Sequence, residues 1–151
     1  MVLNYTYNQI IGFFETATNE HLGYNAFGSG PLDYLDAQSQ NTLYPLLFVR
    51  PMSSPGLQDN TKILNFEVYS IDVPALSNQS PVDVMSNMEL YLYDIGAWFN
   101  RGPLQQNLEY TIQSITPVNE AFKDRVFGWA ANVNITVPYV YNFCNFPTGS
   151  L

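Results

Sequence analysis

The sequence predicts an α+β fold in which two helices pack on one face of a mostly antiparallel four-stranded sheet, in the order α-β-β-α-β-β. Three patterns predict it. Residues 44–51 and 62–73, YPLLFVRP and KILNFEVYSIDV, are apolar runs bounded by Pro, Gly, Asn or Ser. They are rich in strand formers and too short for a typical globular helix. Residues 3–18 and 80–99 space their apolar side chains as a helix does. Residues 126–141 alternate, with Val133, Ile135 and Val137 set against Asn132, Asn134 and Thr136, the pattern of a strand with one buried face. At 151 residues, with 46% hydrophobic and 15% aromatic content, the chain is read as one domain, 1–151, with ample material for a core.

Taken in order, the first helix is carried by Leu3, Tyr7, Ile10, Ile11 and Phe14, with Asn4 as its expected N-cap. Residues 19–42 then dissolve into glycine, Asx and Ser, and are read as a long loop; connections of this length inside compact domains usually carry function or contacts. The strands at 44–51 and 62–73 are joined by 52–61, MSSPGLQDNT, read as a second surface loop. In 62–73 Leu64, Phe66 and Val68 alternate with Asn65 and Glu67, giving a core face and a wet face, and the apolar parity then switches to Tyr69 and Ile71, which predicts either a bulge or burial on both faces. Asp72 closes this strand, to cap the next turn or to pair with Arg50. Ser80, Pro81 and Asp83 form a capping signal for the second helix, whose apolar stripe through Met85, Met88, Leu92, Ile95 and Phe99, with Val84, Tyr91 and Trp98 alongside, is broader than one sheet face needs. A third strand is expected at 108–115, a polar loop with one helical turn at 118–125, and a short C-terminal tail at 142–151. The expected core is Ile10, Ile11, Phe14, Leu47, Val49, Leu64, Phe66, Val68, Met88, Leu92, Ile95, Val133, Ile135 and Val137.

Charge narrows the function classes. The formal net charge is -8 and the five basic residues, Arg50, Lys62, Arg101, Lys123 and Arg125, are scattered. Binding to phosphates calls for a basic stripe, so nucleic-acid binding by contact is disfavoured. No apolar run approaches the roughly 20 residues of a membrane span, and the first residues lack a basic segment followed by an apolar one, so the chain reads as soluble and unprocessed, with no membrane partner.

Chemistry-bearing constellations are few. His21 is the one histidine and Cys144 the one cysteine, with no metal-ligand spacing around either; neither a metal nor a cofactor is expected. A His21 and Cys144 nucleophile and base pair is weighed against packing of Cys144 between aromatics, and packing is preferred. Asp33 and Asp36 read as solvated loop carboxylates, since the calcium-loop pattern is missing. The segment GYNAFGSGP has no lysine and no helix directly after it, so it is not a phosphate cradle. The Asn-x-Ser/Thr sequences at Asn4, Asn78 and Asn134 carry no meaning without a secretory signal. No enzyme activity is expected.

His21, the loop ending AFGSGPLDYLD, the Tyr44-Pro45-Leu46 strand start, a strand closing in Asp72, the Ser80-Pro81-Val82 helix start and the closing strand with Asn142, Cys144 and Pro147 together resemble small structural proteins of tailed bacteriophages. More narrowly, they are similar to neck and tail proteins of crAss-like and related phages of Bacteroidetes and marine hosts. The element order is also similar to that of tail-terminator and tail-completion proteins. The resemblance implies a virion protein of the neck or tail, made in the host cytoplasm. It would form a six-fold or twelve-fold cyclic homo-oligomer that connects adjacent neck or tail proteins and encloses DNA without sequence-specific binding. It implies no catalytic residues.

Two physical expectations accompany that resemblance. A ring subunit buries surface on several neighbours, and eleven Tyr, ten Phe and two Trp exceed what one core requires. A tube through which DNA slides should lack a basic lining, and the acidic balance fits. The expected channel-lining residues are Asp33, Asp36, Asp59, Glu120 and Asp124. The expected contact residues are Tyr24, Phe27, Leu32, Tyr34 and Leu57 from the two long loops and Phe143 and Phe146 from the tail. The alternative is a carbohydrate- or receptor-binding tail module, which would present Trp98 or Trp129 to sugar rings.

Overall fold

The computed structural model describes residues 5–37, 43–74, 79–102, 108–121 and 125–139, apart from the side chains of residues 35–37, 58, 120 and 121. Among these residues three helices and six strands follow in the order α1 (Tyr7–Glu20), β1 (Ala26–Ser29), α2 (Leu32–Ala37), β2 (Leu46–Pro51), β3 (Gly56–Gln58), β4 (Thr61–Asp72), α3 (Pro81–Arg101), β5 (Glu109–Ala121) and β6 (Val126–Pro138). The sheet runs β1-β2-β4-β6-β5, with β3 paired to the start of β4 beside β2. Every pairing is antiparallel except β1 with β2, which is parallel.

This corrects the expected four-stranded sheet with two helices: the sheet has six strands and is mixed, and there is a third helix. The elements missed lie inside the segments read as long loops. In 19–42 the chain forms β1 and α2, of four and six residues. Both are too short to show a period of two or of 3.6. In 52–61 it forms β3 and a two-residue turn at Asp59 and Asn60, with φ of 50° and 61°. Asx side chains tolerate that left-handed conformation, which matches the twist of a tight hairpin. At the other end β5 runs on through Ala121, where a polar loop was expected. Its register breaks between Ile112 and Ser114 and again between Val118 and Ala121, which scrambles the alternation.

The two long helices begin where side chains satisfy their orphan amides. In α1 the cap is Thr6, not Asn4, which lies outside the described residues. Thr6 Oγ1 accepts from the Gln9 amide at 3.3 Å while Gln9 Oε1 accepts from the Thr6 amide at 2.9 Å, a reciprocal capping box. In α3 Ser80 Oγ accepts from the Asp83 amide at 3.2 Å and Pro81 occupies the first turn. The helix stops at Gly102, whose amide bonds to the Trp98 carbonyl. The reciprocal clasp of Asn100 with the backbone of Tyr110, both bonds 2.9 Å, then ties the end of α3 to the start of β5.

Both long helices lie on one face of the sheet. Ile10 and Phe14 of α1 and Leu92, Ile95 and Phe99 of α3 pack on Leu47, Val49, Leu64, Phe66, Val68, Val133, Ile135 and Val137. Of the expected core only Ile11 is half-buried; the rest are buried. Phe14 sits at the centre, 5.4 Å from the ring of Phe66 and 4.8 Å from that of Phe99. The parity switch in β4 comes from burial on both faces: Tyr69 and Ile71 point away from the helices into a second cluster with Leu46, Phe48, Val118 and Val126. Leu32 of α2 packs against that cluster and caps the far end of the open face, while among the described residues no helix covers the rest.

Candidate functional site

The uncovered part of the sheet is a polar floor built by register. Arg50, Glu67, Asn132 and Ser114 lie in one row across β2, β4, β6 and β5. Asn65, Asn134 and Thr111 form the next, where Asn65 Nδ2 donates to Asn134 Oδ1 at 2.8 Å. On an antiparallel sheet with one packed face these are the solvent positions. Of these, Glu67, Asn132 and Ser114, with Tyr69 and Ala130, floor a groove of about 590 Å³, walled by Met52 on one side and by Thr116, Pro117 and Asn119 on the other. A second cleft of about 580 Å³ adjoins it across Met52, between Gly30 to Asp33 and Arg50 to Pro51.

Charge is concentrated where the two meet. Arg50 Nη2 lies 3.3 Å from Glu67 Oε1, and the Tyr69 hydroxyl donates to the same oxygen. Burial, then the bond and charge of Glu67, push the Tyr69 phenol well above its ordinary range, so it stays a donor. Arg50 Nε is buried with no partner among the described residues. Arg50 therefore pairs with Glu67, not with Asp72. Asp72 instead accepts from the Val73 amide at 2.8 Å, at the end of β4.

Asp72 is 5% exposed, and burial raises its pKa above the ordinary 3.8, outweighing the Val73 amide that lowers it. A carboxyl whose folded pKa is raised costs stability in its charged form; that cost is absent below the unfolded pKa and grows as pH rises through the folded one. Asp72→Asn keeps the acceptor and removes the charge, so it should raise the melting temperature at pH 7. The gain should vanish below about pH 3.9. A variant no more stable than the parent at pH 7 would contradict this.

His21 performs a structural task. Its Nε2 lies 2.8 Å from Asp94 Oδ2 and its Nδ1 accepts from the Gly23 amide at 2.9 Å, fastening the end of α1 to α3. Its ring also packs on Tyr24 and Tyr91. Cys144 lies outside the described residues. Among the described residues no three of His, Cys, Asp and Glu are grouped to hold a metal.

Of the expected channel-lining residues, Asp33 is exposed in the first turn of α2, beside the second cleft, and Asp59 is exposed at the tip of the β3-β4 hairpin. The structure does not bring them together: the hairpin tip precedes Thr61, whereas the cleft is reached at the level of Phe66, opposite Pro51. The backbones of Asp36 and Glu120 lie in α2 and β5, and Asp124 lies outside the described residues. Of the expected contact residues, Tyr24 is buried and shares a 2.6 Å hydrogen bond with Ser70 Oγ; burial drives its phenol pKa strongly upward. Phe27 and Leu32 are half-buried on opposite faces of the sheet, and Leu57 is half-exposed in β3. Tyr34 is 55% exposed. Phe143 and Phe146 lie outside the described residues. Trp98 and Trp129 are both half-buried, with indole N–H groups donating to Glu20 and to the Met85 carbonyl.

The groove residues Glu67, Tyr69 and Asn132 were not singled out in the sequence. Alternation marked Glu67 and Asn132 as wet-face positions, but nothing local shows which strands lie side by side. No protein-family model matches the chain, and no curated protein matches it.

Proposed function

We propose that this chain is a structural subunit of the neck or tail of a tailed bacteriophage, assembling as a closed six-fold or twelve-fold ring that joins adjacent neck or tail proteins around the DNA path. The sequence resemblance supports this reading, and one observation of the structure carries it: the two lateral edges of the sheet are unlike. At one edge stand β1, α2 and the β3-β4 hairpin, with exposed Tyr34, Leu43 and Met52. At the other is the 13-residue edge strand β5, whose exposed positions Glu109, Thr111, Gln113, Ser114, Thr116, Pro117 and Asn119 are polar or charged except for the proline. Side-by-side packing of one edge on the other is heterologous, and heterologous contacts generate rings when the rotation closes.

The acidic balance of the chain supports enclosure of DNA without grip. Each phosphate contact would add affinity and drag. At about 0.15 M salt the Debye length is about 8 Å, so acidic wall residues would act only on DNA passing close to them.

Native mass measurement of the purified protein, alone and with neighbouring neck or tail proteins, is expected to show closed rings. Tyr34→Lys with Leu43→Lys should abolish them while leaving the circular-dichroism melt unchanged. A chain that stays monomeric and binds none of those proteins overturns the reading. Tight duplex DNA binding with a steep salt dependence would overturn passive enclosure.

A further inference from the structure

Helix α3 carries two seams. The inner one, Val84, Met88, Leu92, Ile95 and Phe99, is buried against the sheet. The outer one repeats the same spacing two residues earlier: Val82, Ser86, Leu90, Tyr93 and Ala97, all exposed. A shift of two residues turns about 200° around the helix, so the second seam faces directly away from the core. Val82, Leu90 and Tyr93 are 73%, 59% and 46% exposed, and Ser86 and Ala97 are small enough to admit another helix at close range. A surface helix normally turns charged and polar residues to this side. This one turns an apolar stripe outward, ending at the exposed Asn100, with Glu89 on its other flank accepting from the Tyr93 hydroxyl at 3.1 Å.

The charges beside the seam select its occupant. Asp83 and Arg101 lie on the same flank at opposite ends of α3, both exposed, and neither makes an ion pair among the described residues. They are 18 residues apart, about 27 Å along the axis. In an antiparallel pair of identical helices like flanks meet, so Asp83 of each copy falls opposite Arg101 of the other and two ion pairs form at once. That register centres the two-fold axis between Leu90 and Tyr93, and sets Ser86 beside Ala97 of the other copy. A parallel pair would instead bring unlike flanks together, so neither Asp83 nor Arg101 would meet its counterpart and neither ion pair would form. Asp94, near the centre of the same flank, is already held by His21 at 2.8 Å. Leu22, next to His21 and fully exposed, stands beside that flank and extends the apolar surface.

We infer that the outer seam of α3 is a self-docking surface, on which a second copy of this chain packs its own α3 antiparallel about a two-fold axis. The inference does not depend on the neck or tail reading. An isologous contact closes after two copies. Were the chain also a ring subunit, this contact would join subunits of two facing rings and not neighbours within one ring.

Sedimentation equilibrium of the full chain tests it. The parent is expected to dimerise reversibly, and Leu90→Lys is expected to be monomeric at the same concentrations. Asp83→Arg alone, or Arg101→Asp alone, should weaken the dimer by about tenfold, because each turns two attractions into two repulsions; the double reversal should restore it to within about threefold. Orientation is read separately with Cys144 replaced by Ser. A mixture of Ser86→Cys and Ala97→Cys chains should give the mixed disulfide in excess over either homodimer. A protein monomeric up to its solubility limit overturns the inference, as does a double reversal as weak as the single ones or preferential Ser86→Cys self-linking. Melts by circular dichroism confirm that each exposed variant is folded.

Discussion

Phe14→Ala is expected to destabilise the protein by about 3–5 kcal/mol, the usual cost of deleting a fully buried aromatic ring. Phe14 is wholly inaccessible to solvent and meets Phe66, Phe99 and Tyr110, so one ring from α1 joins β4, α3 and β5. Tyr110 in turn stacks on Phe99 at 5.2 Å, and it fits there because Gly96 leaves room: a Cβ on that residue would lie 3.1 Å from the Tyr110 ring. The helix backbones are fixed at their ends by caps and clasps and cannot close fully over the lost ring, so part of the cavity persists. Urea unfolding should show a lower midpoint with an unchanged slope. Phe14→Leu should lose far less, about 1 kcal/mol, since most of the volume remains. A loss below about 1 kcal/mol for the alanine variant would mean that these rings do not form the centre of the core.

Gly128→Ala should cost about 3 kcal/mol or more, for a backbone reason. Gly128 has φ of 154° and lies in β6, paired with Ile71 of β4 on one side and Val118 of β5 on the other. A Cβ there would overlap the Ser70 carbonyl oxygen and stand 3.0 Å from Ile71 Cα. Backbone atoms cannot swing aside, so β4 and β6 would have to separate. They would separate at Ser70, whose hydroxyl bonds to Tyr24 at 2.6 Å and donates to the Met88 carbonyl at 2.9 Å. The damage would thus spread to the contact of α3 with the sheet. Thermal unfolding checks the loss, and amide exchange at Ser70 and Ile71 checks where it begins. Stability equal to the parent would show that the strands tolerate the wider spacing.

The sequence signals that survived folding were those repeated often enough to average out. Two helices were legible because each presents at least four apolar residues at period 3.6. The strands β2, β4 and β6 were legible because their runs are long or alternate. The width of the apolar stripe on α3 was visible too: Val84, Met88, Leu92, Ile95 and Phe99 are buried and Met85, Tyr91 and Trp98 half-buried, whereas the exposed Val82, Leu90 and Tyr93 on the opposite side were not part of it. β1, α2 and β3 were not legible: three to six residues contain too few periods to distinguish a strand or a helix from a loop. They form because their neighbours supply the hydrogen-bond partners. β1 lies parallel on β2, and β3 folds back on β4 through Asp59 and Asn60.

Composition and periodicity by themselves determined the acidic balance, the two long helices, the core face of β4 and β6, and the wet positions at Asn65, Glu67, Asn132 and Asn134. These are local properties: each is set by the residue and those within a turn or two of it. Only the tertiary structure decided that Arg50 meets Glu67 and not Asp72, that Tyr69 donates to that same carboxylate, that His21 fastens α1 to α3, and that Asp33 and Asp59 stand apart. Each depends on strand order and register, where a shift of one residue would send every side chain of a strand to the other face. That choice is made by the summed burial of two faces at once, which no single stretch of sequence contains.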